Sequence, residues 1–119
     1  MSRKTLSQRE AVIAVVLQGD TVHVETFTLA ANDVAETVTP FKVTPGFKIS
    51  YTIPTTNTGV MRIGATKPNA ESGTKRRTVA NGSTVELKLT DVSGIWFVST
   101  VGGDVIEVMV EEILVPLRA

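Results

Sequence analysis

His23 is the single histidine of the chain, and cysteine is absent. Disulfides, cysteine nucleophiles and cysteine-based metal sites are therefore excluded. A histidine-based metal site would need carboxylates brought in by the fold, because no ligand-spaced pair accompanies His23. It falls on the polar side of a predicted strand, where an exposed residue is expected. A Ser-His-Asp arrangement can be drawn from almost any chain with one histidine and many serines, so it has no evidential weight. Glu107 and Glu111 are the carboxylates whose spacing invites comparison with glycoside hydrolysis. On a strand rising about 3.3 Å per residue they share a face but stand about 13 Å apart, too far for one site. The adjacent Glu111 and Glu112 point to opposite faces. This inventory predicts no enzyme, no cofactor and no metal.

The charged residues carry more information. The chain has 12 basic and 12 acidic side chains and a net charge of zero. Their signs are segregated. Arg62, Lys67, Lys75, Arg76 and Arg77 are accompanied by a single Glu71 within 62–77, whereas Asp104, Glu107, Glu111 and Glu112 have no basic residue among them. Such a distribution suits charge-guided docking on another protein, including further copies of the chain. Nucleic-acid binders usually carry a basic surplus, and four Phe, one Tyr and one Trp offer no evident base-stacking platform. Lys75-Arg76-Arg77 is the sharpest cluster. It reads as a protein-docking site, a phosphate contact, or a solvated loop base that keeps a strand edge from pairing. Trp96, between Ile95 and Phe97, belongs to a strand apolar on both faces. Packing between two sheets or burial at a subunit interface would account for it.

The elements that must position these residues are strands. Period-two alternation, broken at short intervals by Gly, Pro, Asn and Asp, runs through most of the chain. Residues 1–10, with Arg3 and Lys4, are polar and read as an arm that orders on a partner by adding a strand or lying in a groove. Residues 11–17 are rich in β-branched side chains, which favours a strand. Ser7-Gln8-Arg9-Glu10 nevertheless has the spacing of a helix capping box, so a helix over about 8–18 stays open. The same apolar stretch is short for a signal peptide and has no small-residue cleavage site after it. The chain is therefore read as unprocessed and made in the cytoplasm. No run approaches the roughly 18–20 apolar residues that span a bilayer.

Strands are predicted over 21–29, 34–43 (around Pro40), 47–53, 60–65, 77–80, 83–89, 95–101 and 105–114. In 21–29, Val22 and Val24 lie on one face and His23 and Glu25 on the other. In 47–53, Phe47, Ile49, Tyr51 and Ile53 share a face. In 105–114, Ile106, Val108 and Val110 face the core and Glu107 and Glu111 lie opposite. Residues 66–75 form a polar loop, long for a hairpin connection and hence mobile or a contact element. Asn81-Gly82 is the strongest hairpin signal, since both residues tolerate positive φ. As a glycosylation acceptor Asn81-Gly82-Ser83 gives way to this turn reading in the absence of a secretory signal. Gly102-Gly103 is likewise a turn and not a phosphate cradle, because no helix is predicted after it. Eight or nine strands predict an antiparallel β-sandwich, jelly-roll-like, over 11–119.

Asn57-Thr58-Gly59 followed by Met61-Arg62-Ile63-Gly64 resembles a segment of small phage virion proteins. The resemblance continues through Val79 to Thr84, Val85-Glu86-Leu87, Thr90-Asp91-Val92, Ile95-Trp96-Phe97-Val98 and the glycine turn before Val105. It covers roughly residues 21–112 and is best over 57–110. These are β modules of the head decoration, cement or head-fibre type. The resemblance implies a virion structural protein whose partners are the major capsid protein or another virion protein and neighbouring copies, with no membrane involved. A carbohydrate- or receptor-binding module of a tail or fibre uses the same architecture, and a single-strand nucleic-acid binder working through Lys75–Arg77 is a further alternative.

Overall fold

The computed structural model describes residues 21–112. They form seven strands and one short helix: β1 (Thr21–Thr28), β2 (Ile49–Thr52), β3 (Met61–Gly64), α1 (Lys67–Ser72), β4 (Arg76–Val79), β5 (Thr84–Leu87), β6 (Trp96–Ser99) and β7 (Val105–Glu112). The polar arm at 1–10, the 11–17 segment with its open helix-or-strand question, and residues beyond 112 lie outside the described residues.

The alternation predicted for 47–53 is present. Ile49, Tyr51 and Ile53 are completely buried while Ser50 and Thr52 reach partly into solvent. Ile106, Val108 and Val110 do the same for β7. Because side chains alternate faces along a strand, these rows commit each strand to one orientation.

Two antiparallel sheets result, one in the order β1-β7-β2-β5 and one in the order β4-β3-β6. Glu36 adds a fourth row to the second sheet, exchanging both backbone hydrogen bonds with Phe97 at 2.8 and 2.9 Å. Most successive strands alternate between the sheets, as in an eight-row jelly roll. Among the described residues seven strands form, one fewer than the eight expected over 21–114. The segment 34–43 supplies only the bridges at Glu36 and Lys42. Pro40, which lacks an N–H, interrupts any ladder there.

The core lies between the sheets and joins Leu29, Val38, Val43, Ile49, Tyr51, Ile53, Met61, Ile63, Phe97 and the β7 row. Tyr51 and Phe97 meet across it with ring centroids 5.1 Å apart. The Tyr51 hydroxyl donates to the carbonyl of Val92 at 2.7 Å, so its one polar atom is satisfied. Burial, with a smaller contribution from the Asp91 carboxylate, pushes the Tyr51 phenol well above its ordinary range.

Two local expectations are corrected. The Asn81-Gly82 turn does not close a hairpin, because β4 pairs with β3 in one sheet and β5 with β2 in the other. Gly82 does take positive φ (89°), and its N–H donates to the carbonyl of Ile53. The turn carries the chain across the sandwich. The polar loop at 66–75 contains α1. Thr66 caps it by accepting from the N–H of Asn69 at 3.3 Å, and a proline stands in the first turn.

Candidate interaction surface

Trp96 and Val98 point to the outer side of β6, away from Phe97. With Ala35 and Ala70 they make a second, smaller core under α1. This resolves the strand that is apolar on both faces: its second face is covered by the chain's own helix. Trp96 is half-buried there.

The basic residues divide by what they touch. Lys67 donates to Glu71 at 2.7 Å, one helical turn away. That bond, and then the N–H of Ala35 at 2.9 Å, hold the Glu71 carboxyl below the usual range. Arg76 donates through Nη1 to the carbonyls of Ala70 at 3.2 Å and Glu71 at 2.7 Å, tying down the end of α1. Lys75 and Arg77 are exposed. Arg62 stands half-buried on β3 opposite Thr78 and Val98. Arg3 and Lys4 lie outside the described residues.

Arg77 shares its strand face with Val79 and lies opposite Ile63. It therefore stands at the mouth of the open side of the sandwich, where β4 and β5 belong to different sheets. A cleft of about 430 Å³ lies there, with Ile63, Leu87, Leu89 and Ile95 in its walls and Lys75, Arg76 and Arg77 on its rim.

The acidic stretch also divides. Asp104 is buried and is not a surface group. Its carboxylate accepts from the backbone N–H of Thr58 (3.1 Å) and Gly59 (2.9 Å) and from the Ser99 hydroxyl (2.7 Å). Burial pushes its pKa up, but the bonds from Ser99, Thr58 and Gly59 outweigh that and leave it below the ordinary carboxylate range. Asn57 exchanges two side-chain bonds with the backbone of Val105, at 2.8 and 2.9 Å. Asn81 bonds the carbonyls of Asn57 and Gly59. The Asn57-Thr58-Gly59 motif is thus the receiving half of a latch that fixes the start of β7. A Cβ on Gly59 would collide with the Ser99 hydroxyl and come within 2.8 Å of Asp104, so only glycine fits.

Glu107 and Glu111 are exposed on the outer face of the four-stranded sheet. Glu112 pairs through its backbone with Thr21. Between the two glutamates on that face lies Met109, 45% exposed, and beside it on β1 stand Val22 (53%) and Val24 (68%). Register places Val22 beside Glu111, Val24 beside Met109 and Thr26 beside Glu107. On the far side Met109 adjoins Ser50, and Ser50 adjoins Glu86. Lys48 and Glu86 pair at 3.5 Å, both largely exposed, and among the described residues Glu107 and Glu111 are the carboxylates of the patch without an ion pair.

The sequence reading missed Val22 and Val24 as surface residues, and it expected His23 to be exposed. The face it read as polar is the inner one. His23 stacks on Phe41 with centroids 3.8 Å apart and an angle of 7°. Its Nε2 stands 3.6 Å from Glu25 Oε1, within ion-pair reach but too long for a good hydrogen bond, and both atoms are buried with no hydrogen-bond partner. The overlooked signal is further along β1. Phe27 and Leu29 have the same parity as His23 and Glu25, and it is these large side chains that enter the core.

Among the described residues no group of three or more histidines or carboxylates could hold a metal, and no helix is long and apolar enough to cross a membrane. No family model matches the chain, and no curated protein matches it. A solved structure described as "Bacillus endospore appendages form a novel family of disulfide-linked pili" aligns at 14% identity and a TM-score of 0.43, covering 80% of this chain and 87% of that one.

Proposed function

We propose that the chain is a structural subunit of a phage virion, a capsid decoration or cement protein that acts by docking on the capsid lattice and on neighbouring copies. The observation that supports this reading is how its reactive groups are used. Asp104, Asp91 and Glu71 are engaged in bonds that hold loops and a helix, while apolar side chains stand exposed on a sheet face rimmed by Glu107 and Glu111. Exposed apolar area rimmed by charge is what a protein–protein contact needs. The polar arm at 1–10 and the basic residues Lys75 and Arg77 are further contact elements in this reading. The resemblance over 57–110 supports the virion address, and its Asn57-Thr58-Gly59 motif maps onto the Asp104 latch, a scaffold feature.

The test is quantitative mass spectrometry of purified virions from a lysate that contains the chain. A fixed ratio to the major capsid protein, retained through gradient purification, is expected. Abundance in the lysate with absence from the particles would overturn the reading. Removing residues 1–10 is expected to lower incorporation, and unchanged incorporation would remove the arm from the contact.

A further inference from the structure

The two apolar surfaces differ in place and in sign. The first is the outer face of β1 and β7, where Val22, Val24 and Met109 are flanked by Glu107 and Glu111. The second is the cleft between β4 and β5, with Ile63, Leu87 and Ile95 in its walls and Lys75 and Arg77 on its rim. In the four-stranded sheet the patch lies on β1 and β7, and β7 stands two strand spacings, or roughly 10 Å, from the β5 edge that borders the cleft. The acidic patch is therefore on the outer face of one half of that sheet, and the basic cleft lies beyond its opposite edge.

Neither surface is suited to meet its own equivalent. Two acidic patches brought together about a two-fold axis would set Glu107 and Glu111 against like charges, and two clefts would do the same with Lys75 and Arg77. Each does suit the other, apolar centre to apolar centre and carboxylate rim to cationic rim. We propose that the valine–methionine face of one copy seats over the β4–β5 cleft of the next, so that copies join head to tail. A contact between two different surfaces of one chain is heterologous, and it propagates into a ring or an open row. This deepens the assembly reading, on which it rests, by naming a second copy as the occupant of both surfaces.

The test uses the full chain in three forms: wild type, the cleft variant K75E/R77E, and the face variant V24D. All three positions are exposed, so each variant should keep the thermal midpoint that the wild type shows when diluted to monomer, where association no longer adds to stability. Mass is followed by light scattering or sedimentation over a concentration series. The wild type should grow beyond dimer, and each variant alone should dissociate, its self-association weakened at least about tenfold by like charge or a desolvated carboxylate. A mixture of the two variants should give a one-to-one heterodimer and nothing larger, because V24D retains a working cleft and K75E/R77E a working face. An isologous contact would not give this result.

Three outcomes would overturn the proposal. A wild type that is monomeric at every concentration would leave the face to a different protein. A V24D monomer that melts below the wild type diluted to monomer would show that the face is covered within the same chain. A variant mixture that stays monomeric while the wild type associates would put the contact elsewhere. Incorporation into virions is measured separately, so a chain that enters particles but never self-associates would defeat this proposal and leave the assembly reading intact.

Discussion

Asp104 joins three pieces of the fold through one carboxylate: the loop at Thr58 and Gly59, the end of β6 at Ser99, and the start of β7. Substitution by asparagine keeps the shape but turns one acceptor oxygen into a donor facing donors. Asp104→Asn should cost about 3 kcal/mol at neutral pH, read by chemical denaturation, because charge-assisted bonds are lost and buried N–H groups are left unpaired. The pH dependence follows from the depressed folded pKa. The stabilisation is fully present above the unfolded value of about 3.9 and is lost as pH falls through the folded one. Asp91, held low first by the backbone N–H of Ser93, acts in the same direction. Wild-type stability should therefore fall with acid below about pH 4, and more steeply than that of Asp104→Asn. Parallel curves for the two would contradict this assignment. Gly59→Ala should cost about 2–3 kcal/mol, since the added methyl meets Ser99 and Asp104 at distances no real contact shows. None of this was legible beforehand. Asp104 reads as one more acid in an acidic stretch, and only the approach of residues 57–59, some 45 positions away in sequence, reveals its use.

Among the elements, β1 departs most from what its residue types suggest. Two valines face water and a histidine–glutamate pair faces inward, because antiparallel pairing with β7 sets Phe27 and Leu29 into the core and parity carries His23 and Glu25 with them. Glu25 gains little from its inward position, since Oε1 lacks a hydrogen bond and sits 3.6 Å from His23. Glu25→Val should leave stability within about 1 kcal/mol of wild type or raise it, by removing a half-buried carboxylate whose Oε1 is buried without a hydrogen bond. A loss well beyond that would mean that the pair stabilises β1. For α1, Thr66→Ala should cost about 1 kcal/mol through the lost cap. The helix itself was hidden in a polar stretch of six residues, too short for any apolar period to show. The strands at 47–53 and 105–112, by contrast, were readable: the first alternates large apolar and polar side chains throughout, and in the second Ile106, Val108 and Val110 alternate with Glu107 and Glu111, with Met109 the one apolar side chain between the two glutamates.

For the molecule as a whole, the two-sheet sandwich followed from alternation and the spacing of turns, whereas the partner of each strand did not. Asn81-Gly82 has the chemistry of a tight turn, but turn chemistry specifies local φ and ψ and not which sheet receives the next strand. Here it sends β5 across to β2. That same crossing opens the β4–β5 side and creates the basic cleft, which no local pattern announces. Exposed apolar surfaces rimmed by opposite charges fit the proposed place in an assembled particle. A whole-particle reconstruction of virions carrying the chain tests it most directly. Density for a two-sheet module is expected in symmetry-related copies on the outside of the capsid lattice. Particles with no such density, from lysates in which the chain is abundant and unattached, would contradict it.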